Sequence, residues 1–257
     1  MTKGREKAMN AVHPQVTLSP QSSHRNISMA ASLGYFAISL VINSLGNVLT
    51  LVTSTHIHPS FLGSAYWTAA ESNLGHALLG DNSLVLFWAF LVLGMIVALL
   101  NAALMHHFEW KRILGNFAFL LPFSLFIQWF GDIFNRIMPN AYSPGMVTLY
   151  VIINFIGVAC MGTAISIYQR VNLVLHPADD LTQILRFRYC HGNVTLAMWF
   201  SYVPPTIMGI IAVLMTGSLV NIGIGTLFAF LFQGSITGIA DRIVFPKLKH
   251  QALDVGR

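Results

Sequence analysis

The 257 residues are 55% hydrophobic and only 9% charged, with a net charge of +5 and an isoelectric point near 9.4; a soluble domain carries roughly 25% charge. Apolar runs long enough to cross a bilayer, about 20 residues for roughly 30 Å of hydrocarbon, recur along the chain and exclude a soluble fold. The basic residues flank these runs and form no patch interleaved with exposed aromatics, so the lipid bilayer is the expected partner and nucleic acid is excluded.

Residues 1–25 are polar, with Lys3, Arg5 and Lys7 followed by Pro14 and Pro20. They contain no compact apolar region and no cleavage site, and read as a disordered cytosolic tail rather than a signal peptide. Between Arg25 and Glu71 there is no Asp, Glu, Lys or Arg. Length and charge exclusion predict six spans, at 27–54, 82–104, 113–135, 146–169, 193–216 and 221–243, since periodicity is weak where most faces are apolar. Residues 246–257 form a second cytosolic tail. With the N-terminus inside, only Arg136 of the 14 Lys and Arg falls outside, which is the positive-inside pattern of a multi-pass protein. Cys160, within a span, and Cys190, at the inner face, make no plausible disulfide.

Two connections differ from plain loops. Residues 59–80 hold Phe61, Leu62, Tyr66, Trp67, Leu74 and Leu78 at a spacing that suits an amphipathic or re-entrant helix on the outer side. Residues 177–189 read as a short inner helix: Pro177 suits its first turn, Asp179 and Asp180 its positive end, Arg186 and Arg188 its other end. His58-Pro59 and His176-Pro177 lead into the two segments. Asn82 and Trp88 match Asn193 and Trp199 at one common offset, and Gly94 then falls opposite Pro205. The expected fold is therefore all-α: six transmembrane helices in two inverted three-span repeats, 26–137 and 138–245, plus two short interfacial or re-entrant helices. Inverted repeats are common among secondary transporters.

Several residues could carry function. Ser39, Asn43, Asn47 and Thr50 form a polar stripe on span one, which reads equally as interhelical hydrogen bonding or as a substrate lining. Asn154, Thr163, Ser166 and Gln169 offer a looser stripe on span four. Pro204 and Pro205 should break span five, with Gly94 marking the matched place in span two, and matched breaks point to a transporter's central site. Asp132 and Asp241 are the acids expected within spans, as end-anchors or as ion-coupling groups; Arg136 lies one turn from Asp132. Tyr66 and Trp67 would gate one side, Asp179 and Asp180 the other. His56, His58, His106, His107 and Glu109 lack ligand spacing, so no metal and no cofactor is expected. The sequons at Asn26 and Asn193 fall on the inner side and are set aside. No nucleophile elbow, phosphate loop or paired catalytic carboxylate appears, so no enzyme activity is expected.

Gly63-Ser64-Ala65-Tyr66-Trp67 resembles the G-x-x-P-W pattern of the YczE/YitT-type bacterial membrane proteins, with Tyr66 in place of the usual Pro. Pro177-Ala178-Asp179-Asp180 is similar to the family's P-x-D pattern, and Asn221–Thr226 to its G-x-G-T start of the last span. The missing Pro, and the expectation of no soluble C-terminal domain of the YitT type, make the chain more similar to the shorter YczE-like branch. The resemblance covers most of residues 30–245. It implies a six-span protein of the bacterial inner membrane, often taken for a transporter, and the charge pattern puts both termini in the cytosol. The leading expectation is a secondary transporter of a small solute, with a coupling ion and a site between the repeats, as monomer or homodimer. The alternative is a non-transporting scaffold or regulatory partner of another protein, which needs no interior cavity.

Overall fold

The computed structural model describes residues 25–251, apart from 81, 107 and 192. The tail expected over 1–25 thus lies outside the described residues except for Arg25, as do residues 252–257 of the second tail, and His107.

Helix α1 (Met29–Thr55) starts at Ser28, whose hydroxyl accepts a hydrogen bond from Ala31 N at 3.1 Å and satisfies a donor the first turn leaves free. A short helix, α2 (Tyr66–Leu79), precedes α3 (Val85–Met105) and α4 (Trp110–Ile137). Helix α5 (Pro144–Val171) has Pro in its first turn and stops at Asn172, which is left-handed at φ 46°. Short α6 (Pro177–Ile184) widens into one i→i+5 turn over Leu185–Tyr189, where Cys190 N donates to Leu185 O at 2.8 Å. Helices α7 (Val194–Ser201) and α8 (Val203–Thr216) are one span broken at Tyr202, followed by α9 (Ile224–Ile243). No strand occurs among the described residues.

Six helices are long and apolar enough to cross a bilayer: α1, α3, α4, α5, Leu196–Thr216 and α9. Each lies within a few residues of its expected span. The break in the fifth follows from Pro204 and Pro205, which bring no N–H to the preceding turn. The matched break expected at Gly94 is absent. Helix α3 runs straight through it, and a Cβ there would stand 2.6 Å from Leu120 Cδ2, so this glycine serves the close approach of α3 to α4.

Bonds between chain segments define two faces. On one, Arg25 donates to Asn172 O at 2.8 Å, Arg112 pairs with Asp180 at 2.5 Å, and the Tyr189 hydroxyl donates to Leu104 O at 2.5 Å. Arg170, Arg186 and Arg188 are at this basic face too. On the opposite face Ala141 N donates to His56 O at 2.9 Å, and Ser64 N to Asn221 O at 2.8 Å. Helix α1 packs most closely on α5, α9 also packs on α5, and α3 packs on α4. The core runs through Phe90, Leu93, Phe119, Phe123 and Ile127. Apolar stripes such as Trp88, Val92, Ile96 and Leu99 on α3 remain exposed, as a lipid-facing surface requires.

Both short helices start inside the bundle and run out to different faces. On α2, Thr68 donates to Asn47 in α1, while Asn73 Nδ2 reaches Val220 O of the opposite face at 2.6 Å. Residues Thr68 to Gly75 are all buried, so α2 is no helix lying on a surface. At the start of α6, the His176 ring packs on Phe119 and Phe123 with centroids 5.4 and 5.2 Å apart, and Asp180 reaches Arg112 at the basic face.

Candidate functional site

The two inward-pointing ends border one cavity of about 540 Å³. Its blind end is formed by Asn43 and Asn47 of α1, Trp67, Thr68 and Glu71 of α2, and the rings of Phe90 and Phe123. From there it passes Tyr168, His176 and Asp179 and reaches Gln183, Arg186 and His250 at the basic face. One wall is the seam between the broken span and α9, where Phe230 meets Trp199 edge-on at 5.3 Å and stacks on Tyr202 at 5.1 Å.

Glu71 is the residue that reading the sequence missed. Its side chain is 1% exposed, and Oε1 has no hydrogen-bond partner. Burial holds this carboxyl well above the usual range. The acids expected within the membrane were Asp132 and Asp241, and neither lines the cavity. Asp132 is exposed near the end of α4, where Oδ1 accepts from Gln128 Nε2 at 2.7 Å, and it forms no ion pair with Arg136. Asp241 accepts from Ser166 Oγ at 2.6 Å and lies 3.4 Å from Arg170 Nε. The signal that marks Glu71 is its company. Thr68, Ala69, Ala70, Ser72 and Gly75 are small on every side, which lets neighbouring helices close over the acid.

Asn43 and Asn47 line the cavity as expected, joined by a bond from Asn47 Nδ2 to Asn43 Oδ1 at 3.2 Å. Ser39 does not; its hydroxyl donates to Phe36 O at 2.7 Å within its own helix. Asn154 faces the span-one stripe, but as a structural knot. Its Nδ2 donates to Thr50 O and Thr53 Oγ1 at 3.1 Å and to Gly63 O at 2.9 Å. Pro204 begins α8 outside the cavity, and Pro205 lines a separate apolar recess of about 250 Å³ between α2 and α8.

The proposed gates divide differently from the expectation. Tyr66 and Trp67 stand at the blind end, where the Tyr66 hydroxyl is 2.7 Å from Thr206 Oγ1. Asp179 lines the cavity and accepts from the Tyr168 hydroxyl. Asp180 points away from it, held by Arg112 Nε at 2.8 Å. Burial raises the Asp179 carboxyl to about 6 although the Tyr168 bond works against it, and lowers His176 to about 4. Neutral His176 suits its contact: Nδ1 accepts from Ala178 N at 3.2 Å and caps α6. Arg170, missed as well, is 2% exposed and donates to Val244 O at 2.8 Å, Phe245 O at 3.1 Å and Leu248 O at 3.2 Å. It fastens the segment after α9 to α5.

Six bilayer-length helices around an interior cavity define a multi-pass integral membrane protein. The chain belongs to a family of unknown function, DUF6198, whose model matches residues 30–242. Comparison with curated proteins and with solved structures gives no match.

Proposed function

We propose that this protein is a secondary transporter of a small solute in the bacterial inner membrane, with the basic face toward the cytosol and no enzymatic activity of its own. The observation that carries the reading is the cavity. It runs from the basic face to a buried carboxylate inside the bundle, and its lining mixes amides, hydroxyls and aromatic rings. A scaffold has no use for such a space, whereas a transporter needs water and solute to reach mid-bundle from one side.

Two inverted repeats are part of the reading. Three pairs at the common offset support it, since all six residues line the same cavity: Ala65 with His176, Thr68 with Asp179, and Glu71 with Thr182. Discontinuous elements that meet near the midplane are a recurring site in such transporters.

Cysteine accessibility tests the proposal. In a background lacking Cys160 and Cys190, Asn43→Cys and Asn47→Cys are probed with a membrane-impermeant thiol reagent. Labelling in inside-out vesicles but not in intact cells is the expected pattern. Protection from both sides means a dry interior and favours the membrane-partner alternative.

A further inference from the structure

We infer that the blind end of the cavity is a binding site for a small organic cation, with the Glu71 carboxylate as counter-charge and the rings of Trp67, Phe90 and Phe123 as walls. This rests on the transporter reading and names the class of its solute.

The starting point is an unmet requirement. A buried carboxylate oxygen normally has partners, and Glu71 Oε1 has none. A bare charge there is costly, so burial keeps the carboxyl protonated, and a bound cation would take the proton's place as the partner of the carboxylate. Among the described residues, the basic groups along the cavity are His176, Arg186 and His250. Arg186 and His250 belong to the basic face, at the far end from Glu71. His176 is neutral and packed between two phenylalanines.

The walls select the kind of cation. A bare metal ion needs several oxygen ligands at close range. Here much of the surrounding surface is aromatic and apolar, with Trp67, Ala65, Phe90 and Phe123 in the lining. Trp67 lies one turn before Glu71 and lines the same cavity, while the Phe90 and Phe123 rings meet edge-on at 5.9 Å. A carboxylate beside aromatic faces suits an alkylammonium, whose charge is diffuse and whose substituents are greasy. The whole cavity, of which the blind end is one part, has about 540 Å³, within the usual range for small-molecule sites.

The test is equilibrium dialysis of the purified full-length chain against radiolabelled tetramethylammonium, tetraethylammonium and choline. The neutral choline isostere 3,3-dimethylbutan-1-ol serves as competitor. Saturable binding of at least one cation is expected, with little displacement by the neutral alcohol. Glu71→Gln should weaken it by at least about tenfold, and Glu71→Asp should recover part of the loss. Arg136→Gln, on the opposite face, should bind like the parent chain. Size-exclusion profiles and melting curves identify a variant that has failed to fold. If Glu71→Gln misfolds, Trp67→Leu takes its place and should weaken binding as well. No saturable binding of any of the three, binding unchanged in a folded Glu71→Gln, or equal displacement by the alcohol would overturn the inference. Thiol labelling of Asn43→Cys and Asn47→Cys is read separately. A wet cavity without cation binding sinks the cation site alone, and a dry cavity sinks the transporter reading too.

Discussion

Gly46 on α1 and Gly157 on α5 meet reciprocally: a Cβ on Gly46 would stand 2.6 Å from Gly157 O, and one on Gly157 would stand 2.8 Å from Gly46 O. The two glycines have the same separation along the chain as Asn82 and Asn193. In the proposed inverted repeat the two glycines are equivalent, and their mutual contact would put its two-fold axis between α1 and α5.

Gly46→Leu should therefore force the two helices apart. Because the obstructing atoms are backbone, the loss should reach or exceed about 1–3 kcal/mol, the usual cost of overpacking. Gly34, on the same helix, has open space around its Cα. Gly34→Ala should be neutral or mildly stabilising, by up to about 1 kcal/mol. Melting curves in detergent compare the two, and a similar response to both would remove the close-contact explanation.

Asn154→Ala removes three donated bonds at once, leaving Thr50 O and Gly63 O without that donor. The expected loss is about 2–3 kcal/mol. Hydrogen exchange should rise first in residues 59–65, the stretch that Asn154 holds against α1. Unchanged protection there would show that the stretch is held by other contacts.

Arg170→Lys keeps the charge and loses the planar fork that reaches Val244, Phe245 and Leu248. About 1.5–3 kcal/mol of local stability should go with it. Limited proteolysis should then cut between residues 244 and 251 sooner than in the parent chain. Equal cleavage rates would mean that the Gln251 N bond to Arg170 O suffices.

Asp179 makes a prediction with a definite sign. Its folded-state carboxyl is raised to about 6 from an ordinary 3.8, so between these values the folded chain binds more protons than the unfolded one. Stability from this group thus falls as pH rises from 3.8 to 6 and stays lower above that. Asp179→Asn keeps an oxygen for the Tyr168 hydroxyl and lacks the charge. It should melt higher than the parent chain at pH 7.5 and equally at pH 4. A variant that melts lower at pH 7.5 would show the ionised carboxylate to be favourable where it stands.

The parts legible in the sequence are those set by bulk properties. Span limits came from length and from where charge is excluded, and bilayer thickness fixes both. The break at Tyr202 came from Pro204 and Pro205, whose covalent geometry acts alone. Gly94 misled because a glycine permits either a bend or a close contact, and only the partner decides; that partner is Leu120 on another helix. Glu71 was illegible for a related reason. An acid on a short amphipathic helix reads as part of its wet face until tertiary packing buries it. Asp241 illustrates the converse, since its partner Arg170 lies 71 residues away.

On the transporter reading, the placement of Glu71 would also shape how the protein feels membrane voltage. With water filling the cavity up from the basic face, the electric field concentrates in the layer that remains. That layer would be thin, since Asn73, two residues past Glu71, already donates to Val220 O at 2.6 Å on the opposite face. A single charge leaving Glu71 for the opposite face would cross most of the potential in that one short step, worth up to about 2.3 kcal/mol per 100 mV. Traffic through such a site would be driven or braked by the resting potential rather than by concentration alone.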